Sequence, residues 1–244
     1  MKITAVIPAR FGSSRLEGKP LKDIWGKPMI QHVYERVLQA KNVERAIVAT
    51  DDERIVEAVE KFGGIARMTS IDHQSGTDRV AEVMSNEKAS IVINVQGDEP
   101  LIDPRLIDEA SQPLIDDDSL VAATLCKPIL QEEKLSNPNV VKVIRDYQDF
   151  GIYFSRSVIP YPRNKETFQA YEHIGIYVYR HDFLMKFVQM PQSKLEVIES
   201  LEQLRIIENG FRIKVVETQY PYTGVSVDTQ EDLEEVRKII ASNK

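Results

Sequence analysis

Short apolar runs rich in β-branched residues alternate with amphipathic stretches along the first hundred residues. Residues 3–7 form one such run, stopped by Pro8. Residues 28–40 carry apolar positions at helical spacing, placing Ile30, Val33, Val37 and Leu38 on one face. A second strand is expected at 45–50. Asp51-Asp52 then offers N-cap chemistry to a helix running to Phe62 and closed by Gly63-Gly64. Strands at 65–68 and 90–95 flank a helix at 76–84. Near-continuous apolar strands separated by helices imply a largely parallel sheet covered on both faces. Ligands in such sheets bind beyond the carboxyl ends of the strands. The polar clusters at 10–19, 51–52 and 96–99 all follow strands, so the fold gathers them along one edge.

The second half is more mixed. Strands are expected at 121–125, 140–144, 151–154, 174–179 and 213–216, with the second and third antiparallel across 146–149. Residues 195–209 read as one long amphipathic helix ended by Gly210, and 230–241 as a last helix. There is no internal repeat and no linker, and 116–119 reads as a solvated acidic turn.

Composition narrows the function classes. The chain has 244 residues, 42% hydrophobic and 28% charged, enough for a core that needs no disulfide. A single cysteine, Cys126, excludes an internal disulfide framework, fits a reducing cytoplasmic setting and reads as a buried small hydrophobe. The net charge of −7 argues against nucleic acid as a partner. No stretch has the length of a membrane span and no signal-peptide core precedes the first strand, so a soluble protein is expected.

The chemistry starts in the loop after the first strand, Pro8-Ala9-Arg10-Phe11-Gly12-Ser13-Ser14-Arg15-Leu16-Glu17-Gly18-Lys19-Pro20-Leu21. Small residues let backbone N–H groups approach an anion, and Arg10, Arg15 and Lys19 add full charges. It matches neither the Walker A pattern nor G-x-G-x-x-G. On charge and spacing alone it is a phosphate cradle or a solvated basic loop.

The block resembles P-A-R-x-x-S-x-R-L-P-G-K-P-L, the N-terminal signature of the 3-deoxy-manno-octulosonate cytidylyltransferases, with Glu17 where that family usually has Pro. Residues 72–79 are similar to the family's H-x-S-G-T-[DE]-R segment, and 95–100 match V-Q-G-D-E-P. Residues 224–233 resemble the closing T-G-V-D-T-P-E-D-L. Here Gln230 replaces Pro, and Gly224 stands two residues further from Asp228 than in the usual form. Blocks around Tyr153-Phe154-Ser155-Arg156, His173-Ile174-Gly175-Ile176-Tyr177 and Glu199 to Arg205 extend the resemblance to about residues 3–238.

The resemblance implies a single α/β domain of the three-layer, Rossmann-like nucleotidyltransferase fold with a mostly parallel mixed sheet. Residues of about 120–220 would carry sugar-binding and dimerisation elements. It implies transfer of CMP from CTP to the acidic sugar, with pyrophosphate released, for lipopolysaccharide biosynthesis. Nucleotide contacts would come from Pro8, Ala9, Arg10, Gly12, Ser13, Ser14, Lys19, Ser75, Thr77, Arg79 and Gln96. Sugar contacts would come from Arg15, Gln96, Arg156, His173, Tyr177, Glu199 and Gln203. Asp98 and Asp228 would hold Mg²⁺ as cofactor, a hard cation that usually takes one or two carboxylates. Lys19 and Arg10 would join them in catalysis, and the protein would be a homodimer. The alternatives are a cytidylyltransferase for a related sugar such as an 8-amino octulosonate, and a non-catalytic nucleotide-binding scaffold. No convincing general base is apparent, and His173 is a weak candidate. Asp228 could instead cap the last helix.

Overall fold

The computed structural model describes residues 2–12 and 15–242. These fall into two compact units, residues 1–108 with 220–244, and residues 109–219. The stretch of about 120–220 singled out in the sequence lies almost wholly within the second unit.

In the first unit, β1 (Ile3–Pro8) is buried at every position before Pro8, as the unbroken apolar run requires. A two-residue hairpin joins β2 (Asp23–Ile24) and β3 (Lys27–Pro28), with positive φ at both Trp25 and Gly26. Next comes α1 (Met29–Val37), burying Met29, Ile30, Val33, Tyr34 and Val37. Leu38 is not on that face; it sits beyond the last helical residue and is 46% exposed, and Tyr34 fills the stripe instead. β4 (Arg45–Thr50) leads to α2 (Glu53–Lys61), which is capped by Asp52 accepting from the Arg54 amide. β5 (Ala66–Met68) and α3 (Gly76–Ser85) follow, and Ser75 and Asp78 form a capping box at the start of α3. β6 (Ile91–Asn94) ends the run.

The strands of this unit lie side by side in the order β5, β4, β1, β6, all parallel. Val6 faces Ile47 on one side and Asn94 on the other. The chain moves from β1 toward β5 and then returns to the opposite side of β1 at β6. That reversal opens a crevice beyond the carboxyl ends of β1 and β6, the usual ligand position in such sheets. The loops leaving these two strands are the basic signature and Gln96-Gly97-Asp98-Glu99.

The unit boundary falls inside α4 (Pro104–Asp116), a helix absent from the sequence expectation. In the second unit, β7 (Ala122–Pro128) precedes a short α5 (Glu132–Ser136) and the expected hairpin of β8 (Lys142–Arg145) and β9 (Gly151–Ser155). The ten-residue β10 (Tyr171–Arg180) pairs antiparallel with both β7 and β8. α6 (His181–Phe187) continues the chain.

The long helix expected at 195–209 is instead two short ones, α7 (Lys194–Glu199) and α8 (Leu204–Glu208). Ser200 turns into the left-handed region between them, with φ 52°. Apolar spacing continues across the break, burying Leu201, Leu204 and Ile206, so the periodicity concealed it. β11 (Lys214–Glu217) pairs parallel with β7, and the chain re-enters the first unit to end in α9 (Gln230–Ser242). None of the described helices is long and apolar enough to cross a membrane.

Candidate active site

A cavity of about 300 Å³ lies at the crevice of the first unit. Pro8 and Ala9 line it from the end of β1, while Arg10, Arg15 and Lys19 line it from the signature loop. Ser75 comes from the N-cap of α3 and Arg79 from the helix itself, Gln96 and Asp98 from the loop after β6, and Asp228 from the segment before α9. Gly12 and Thr77 are not part of the wall. Thr77 is buried on α3, where its hydroxyl accepts from the Asn94 amide at 3.3 Å. Ser13 and Ser14, also expected at the nucleotide, lie outside the described residues.

The floor is electrostatic. Lys19 Nζ donates to Asp98 Oδ2 at 2.9 Å and to Asp228 Oδ1 at 3.1 Å, and Arg15 Nη2 pairs with Asp228 Oδ2 at 3.0 Å. Two carboxylates from distant parts of the chain thus converge on a single ammonium. Like charges brought this close need a cation between them. The donor set is hard oxygen and the number of carboxylates is the one Mg²⁺ usually takes, so the pair fits that ion. Capping is not what Asp228 does. Thr229 and Asp232 form the box at the start of α9, with Asp232 N to Thr229 Oγ1 at 3.2 Å and Thr229 N to Asp232 Oδ2 at 2.8 Å. That leaves the Asp228 carboxylate for the cavity.

Apolar packing holds these polar groups in place. Leu16 of the signature loop shares a buried cluster with Ile24, Met29 and Val227, and with Leu233 and Val236 of α9. The residue beside Asp228 is therefore packed against the loop that carries Lys19. The altered spacing near Gly224 is taken up by a left-handed turn at that glycine, φ 69°, and Val227 N still bonds Asp98 O at 2.9 Å. At the departure in the signature loop, Glu17 is exposed and adds negative charge near Arg54. The Arg54 guanidinium lies 3.4 Å from the centroid of Phe11, and its pKa is raised, chiefly through its bond to Asp52.

Arg79, expected at the nucleotide, does line the cavity, but its buried guanidinium is committed to Asp51 Oδ2 at 2.9 Å, to the Thr69 hydroxyl and to Ser70 O, so it braces the wall. Asp51 also takes the Phe11 amide at 3.3 Å, joining two loops at the sheet edge. His73, another wall residue, pairs with Glu82. A Cβ on Gly97 would lie 2.6 Å from Pro8 O, so only glycine lets the two strand-end loops meet. Glu99 is buried, which with the neighbouring Asp98 charge pushes its carboxyl up to about 7.

The sugar-side residues of the sequence reading lie in the second unit, apart from Arg15 and Gln96. A β-bulge interrupts the β10–β7 register between Ile174 and Tyr177, in the His173-Ile174-Gly175-Ile176-Tyr177 block. Bulges re-aim the side chains around them. Here Thr124 Oγ1 lies 2.9 Å from His173 Nε2 and within reach of Ile174 O and Ile176 O. The His173 ring packs edge-on to Phe154 at 5.0 Å, and burial pushes its pKa down to about 3. That makes it too weak a base to take a proton near neutral pH.

Tyr177 donates to Gln203 Oε1 at 3.0 Å, while Gln203 Nε2 is buried without a partner among the described residues. Burial works to raise the Glu199 carboxyl, but hydrogen bonds from Ser155, the Arg156 amide and Tyr153 hold it below its ordinary value. Arg156 donates to Glu199 O at 2.8 Å, Pro138 O at 3.0 Å and Ser200 O at 3.3 Å, so its guanidinium supports this corner. Beneath it the buried Lys142 ammonium is ringed by Asn137 O, Val140 O and Arg156 O.

A cytidylyltransferase family model matches residues 4–215. A 3-deoxy-manno-octulosonate cytidylyltransferase of Geotalea uraniireducens is 54% identical, covering 97% of this chain and 98% of its own length. One from Geobacter sulfurreducens is 53% identical with the same coverage. A solved CMP:2-keto-3-deoxy-manno-octonic acid synthetase complexed with CTP superimposes with a TM-score of 0.96 at 51% identity, over 100% of both chains. A cytidylyltransferase from Leptospira borgpetersenii shares the fold at 18% identity, with a TM-score of 0.65 over 99% of this chain and 87% of its own.

Proposed function

The chain belongs to the 3-deoxy-manno-octulosonate cytidylyltransferase family, and from that premise we propose how its residues divide the work of the reaction. It transfers CMP from CTP to a 3-deoxy-manno-octulosonate sugar. The observation that carries the division is the convergence of Asp98 and Asp228 on Lys19 inside the cavity of the signature loop.

In this reading the anomeric 2-hydroxyl of the sugar attacks the α-phosphorus of CTP. An oxygen–phosphorus bond forms there as the bond to the β-phosphate oxygen breaks, and pyrophosphate leaves. The hydroxyl proton passes to solvent. Reactions of this kind rest on positioning and charge stabilisation. Arg10, Arg15 and Lys19 steady the charge that grows on the departing pyrophosphate. Ser75, Gln96 and the backbone of Pro8 and Ala9 orient the nucleotide. Asp98 and Asp228 would hold Mg²⁺, which would supply neutralising charge at the phosphates.

On the sugar side, Glu199 stays ionised and accepts from hydroxyls, while the unpaired Nε2 of Gln203 donates to one. His173 and Tyr177 wall the same corner. Leu130, Ile152, Tyr161, Val197 and Ile198 are each more than half exposed on the second unit, which supports a homodimer formed through it. The lone buried thiol, Cys126, suits the cytoplasm.

Pyrophosphate release with CTP, Mg²⁺ and a panel of acidic sugars tests the assignment. Asp98→Ala is expected to lower kcat by at least about a hundredfold with the fold intact. Near-normal turnover would remove the metal role. Sedimentation at micromolar concentration tests the dimer, and a monomer refutes it.

A further inference from the structure

The segment carrying Asp228 has no strand or helix of its own between the end of β11 at Glu217 and the start of α9 at Gln230. It must nevertheless place one carboxylate beside another within the reach of a single ion. Besides the packing of Val227 against Leu16 and the pairing of Asp228 with Lys19 and Arg15, three of its fixed points lie on residues 98–105, the stretch that follows β6. The Arg105 guanidinium stacks 4.4 Å from the centroid of Tyr220 and is itself held by Asp103, with Nε to Oδ1 at 3.0 Å and Nη2 to Oδ2 at 2.6 Å. Tyr222 donates its hydroxyl to Glu99 Oε1 at 3.0 Å. Val227 N donates to Asp98 O at 2.9 Å. Residues 220–227 are therefore stitched to the chain that carries the other carboxylate.

Glu99 stands out among these anchors. It is 8% exposed, it is absent from the cavity wall, and its Oε2 finds no partner among the described residues. A buried carboxyl with one oxygen unmatched is unfavourable for stability alone. Its one described side-chain partner, Tyr222, leads directly to the metal carboxylate.

We propose that Glu99 is a positioning residue that acts through Tyr222 to set the separation of Asp98 and Asp228, and so the affinity of that pair for a divalent cation. Glu99 does not bind the ion. It fixes the bend of residues 222–227, whose far end delivers Asp228 to the cavity. Without the Tyr222 contact, that carboxylate keeps Lys19 and Arg15 as partners and Val227 N keeps Asp98 O, but the bend that sets its distance from Asp98 is no longer held at residue 222. This inference rests on the reading of Asp98 and Asp228 as the metal pair.

The test uses the full-length chain, with Mn²⁺ alone as the probe, titrated by the loss of its free electron paramagnetic resonance signal. Mg²⁺ dependence of turnover and thermal unfolding are recorded alongside. Tyr222→Phe and Glu99→Leu are expected to weaken Mn²⁺ binding and raise the Mg²⁺ needed for half-maximal activity by about tenfold, the scale of losing one hydrogen bond to a charged group. The KM for CTP at saturating Mg²⁺ should stay within about twofold of the parent. Glu99→Gln retains an oxygen acceptor for Tyr222 and should restore most of the affinity. If Glu99→Leu does not fold, Tyr222→Phe decides alone.

A folded Tyr222→Phe that binds Mn²⁺ as the parent does overturns the inference, as does one whose kcat falls with metal affinity unchanged. Asp98→Ala separates the two readings. If it abolishes Mn²⁺ binding while Tyr222→Phe leaves binding intact, only the positioning role fails. If Asp98→Ala binds Mn²⁺ normally, the metal-pair reading fails with it.

Discussion

Replacing Arg205 with Met should cost the second unit a large part of its stability. Arg205 and Glu196 are each 5% exposed, and they form a two-pronged pair with Nε to Oε2 at 2.8 Å. The pair spans the break between α7 and α8. In Arg205→Met the Glu196 carboxylate stays buried and loses its cation, while it keeps the Ser193 amide at 2.9 Å. Stranding one member of a buried pair costs roughly 3–5 kcal/mol, and the surviving amide bond places this case near the lower end. Against a typical total of about 5–15 kcal/mol, that is roughly a fifth to three fifths of the whole.

The double variant Arg205→Met/Glu196→Leu removes both charges of the pair and leaves the Ser193 amide without its acceptor, beside the weaker Arg205 contacts to Met190 O and Glu202 that both Arg205 variants lose alike. The lost amide bond is worth about 1 kcal/mol. Urea unfolding of the parent, both single variants and the double then gives a coupling energy of about 2 kcal/mol or more. The denaturant slope should be unchanged if only stability moves. The reasoning is refuted if Arg205→Met lies within about 1 kcal/mol of the parent, or if the double variant is no more stable than Arg205→Met.

Gly97→Ala drives a Cβ to 2.6 Å from Pro8 O, a backbone atom that cannot swing away. It should destabilise by about 1–3 kcal/mol and weaken CTP binding, both measurable by thermal shift with and without nucleotide. His173 has a folded pKa pushed below its ordinary value of 6.5 to about 3 by burial, so the unfolded chain binds the extra proton between those values. Its contribution is present above pH 6.5 and is lost as pH falls toward 3. His173→Asn should therefore flatten the fall in unfolding free energy across that window, and an equally steep fall would refute the assignment. Thr229→Ala removes the cap of α9 and should cost about 1 kcal/mol in chemical denaturation, with most of the turnover retained.

The strands of the first unit were legible because each is an apolar run of β-branched residues covered on both faces, as residues 3–7 and 91–94 show. The carboxylates and the basic loop were legible as motifs, but their meeting at Lys19 was not, since spacing along the chain does not encode it. The helix Pro104–Asp116 went unread although its signals were present. Asp103 accepts from the Arg105 amide, Pro104 opens the first turn, and Leu106, Ile107, Ala110 and Leu114 form a fully buried stripe. The interior Pro113 reads as a breaker and hid the period. Ser200 misled in the opposite sense, because a serine carries no breaker signal yet adopts φ 52°. Arg79 matched a nucleotide-side motif, but its partner Asp51 belongs to another βα unit, and only the fold joins them.

The interruption at Ser200 also bears on how such an enzyme can change its sugar. In one continuous helix, residues 199 and 203 would sit a turn apart on a shared face and answer to the same neighbours. The break gives each its own strand. Glu199 is fastened to Ser155 on β9 and to the Arg156 amide, and Gln203 to Tyr177 on β10. Either can be exchanged against its own strand without repacking the other. If Glu199 and Gln203 contact the sugar as proposed, recognition of its hydroxyls is retuned one residue at a time, in a lineage or on the bench.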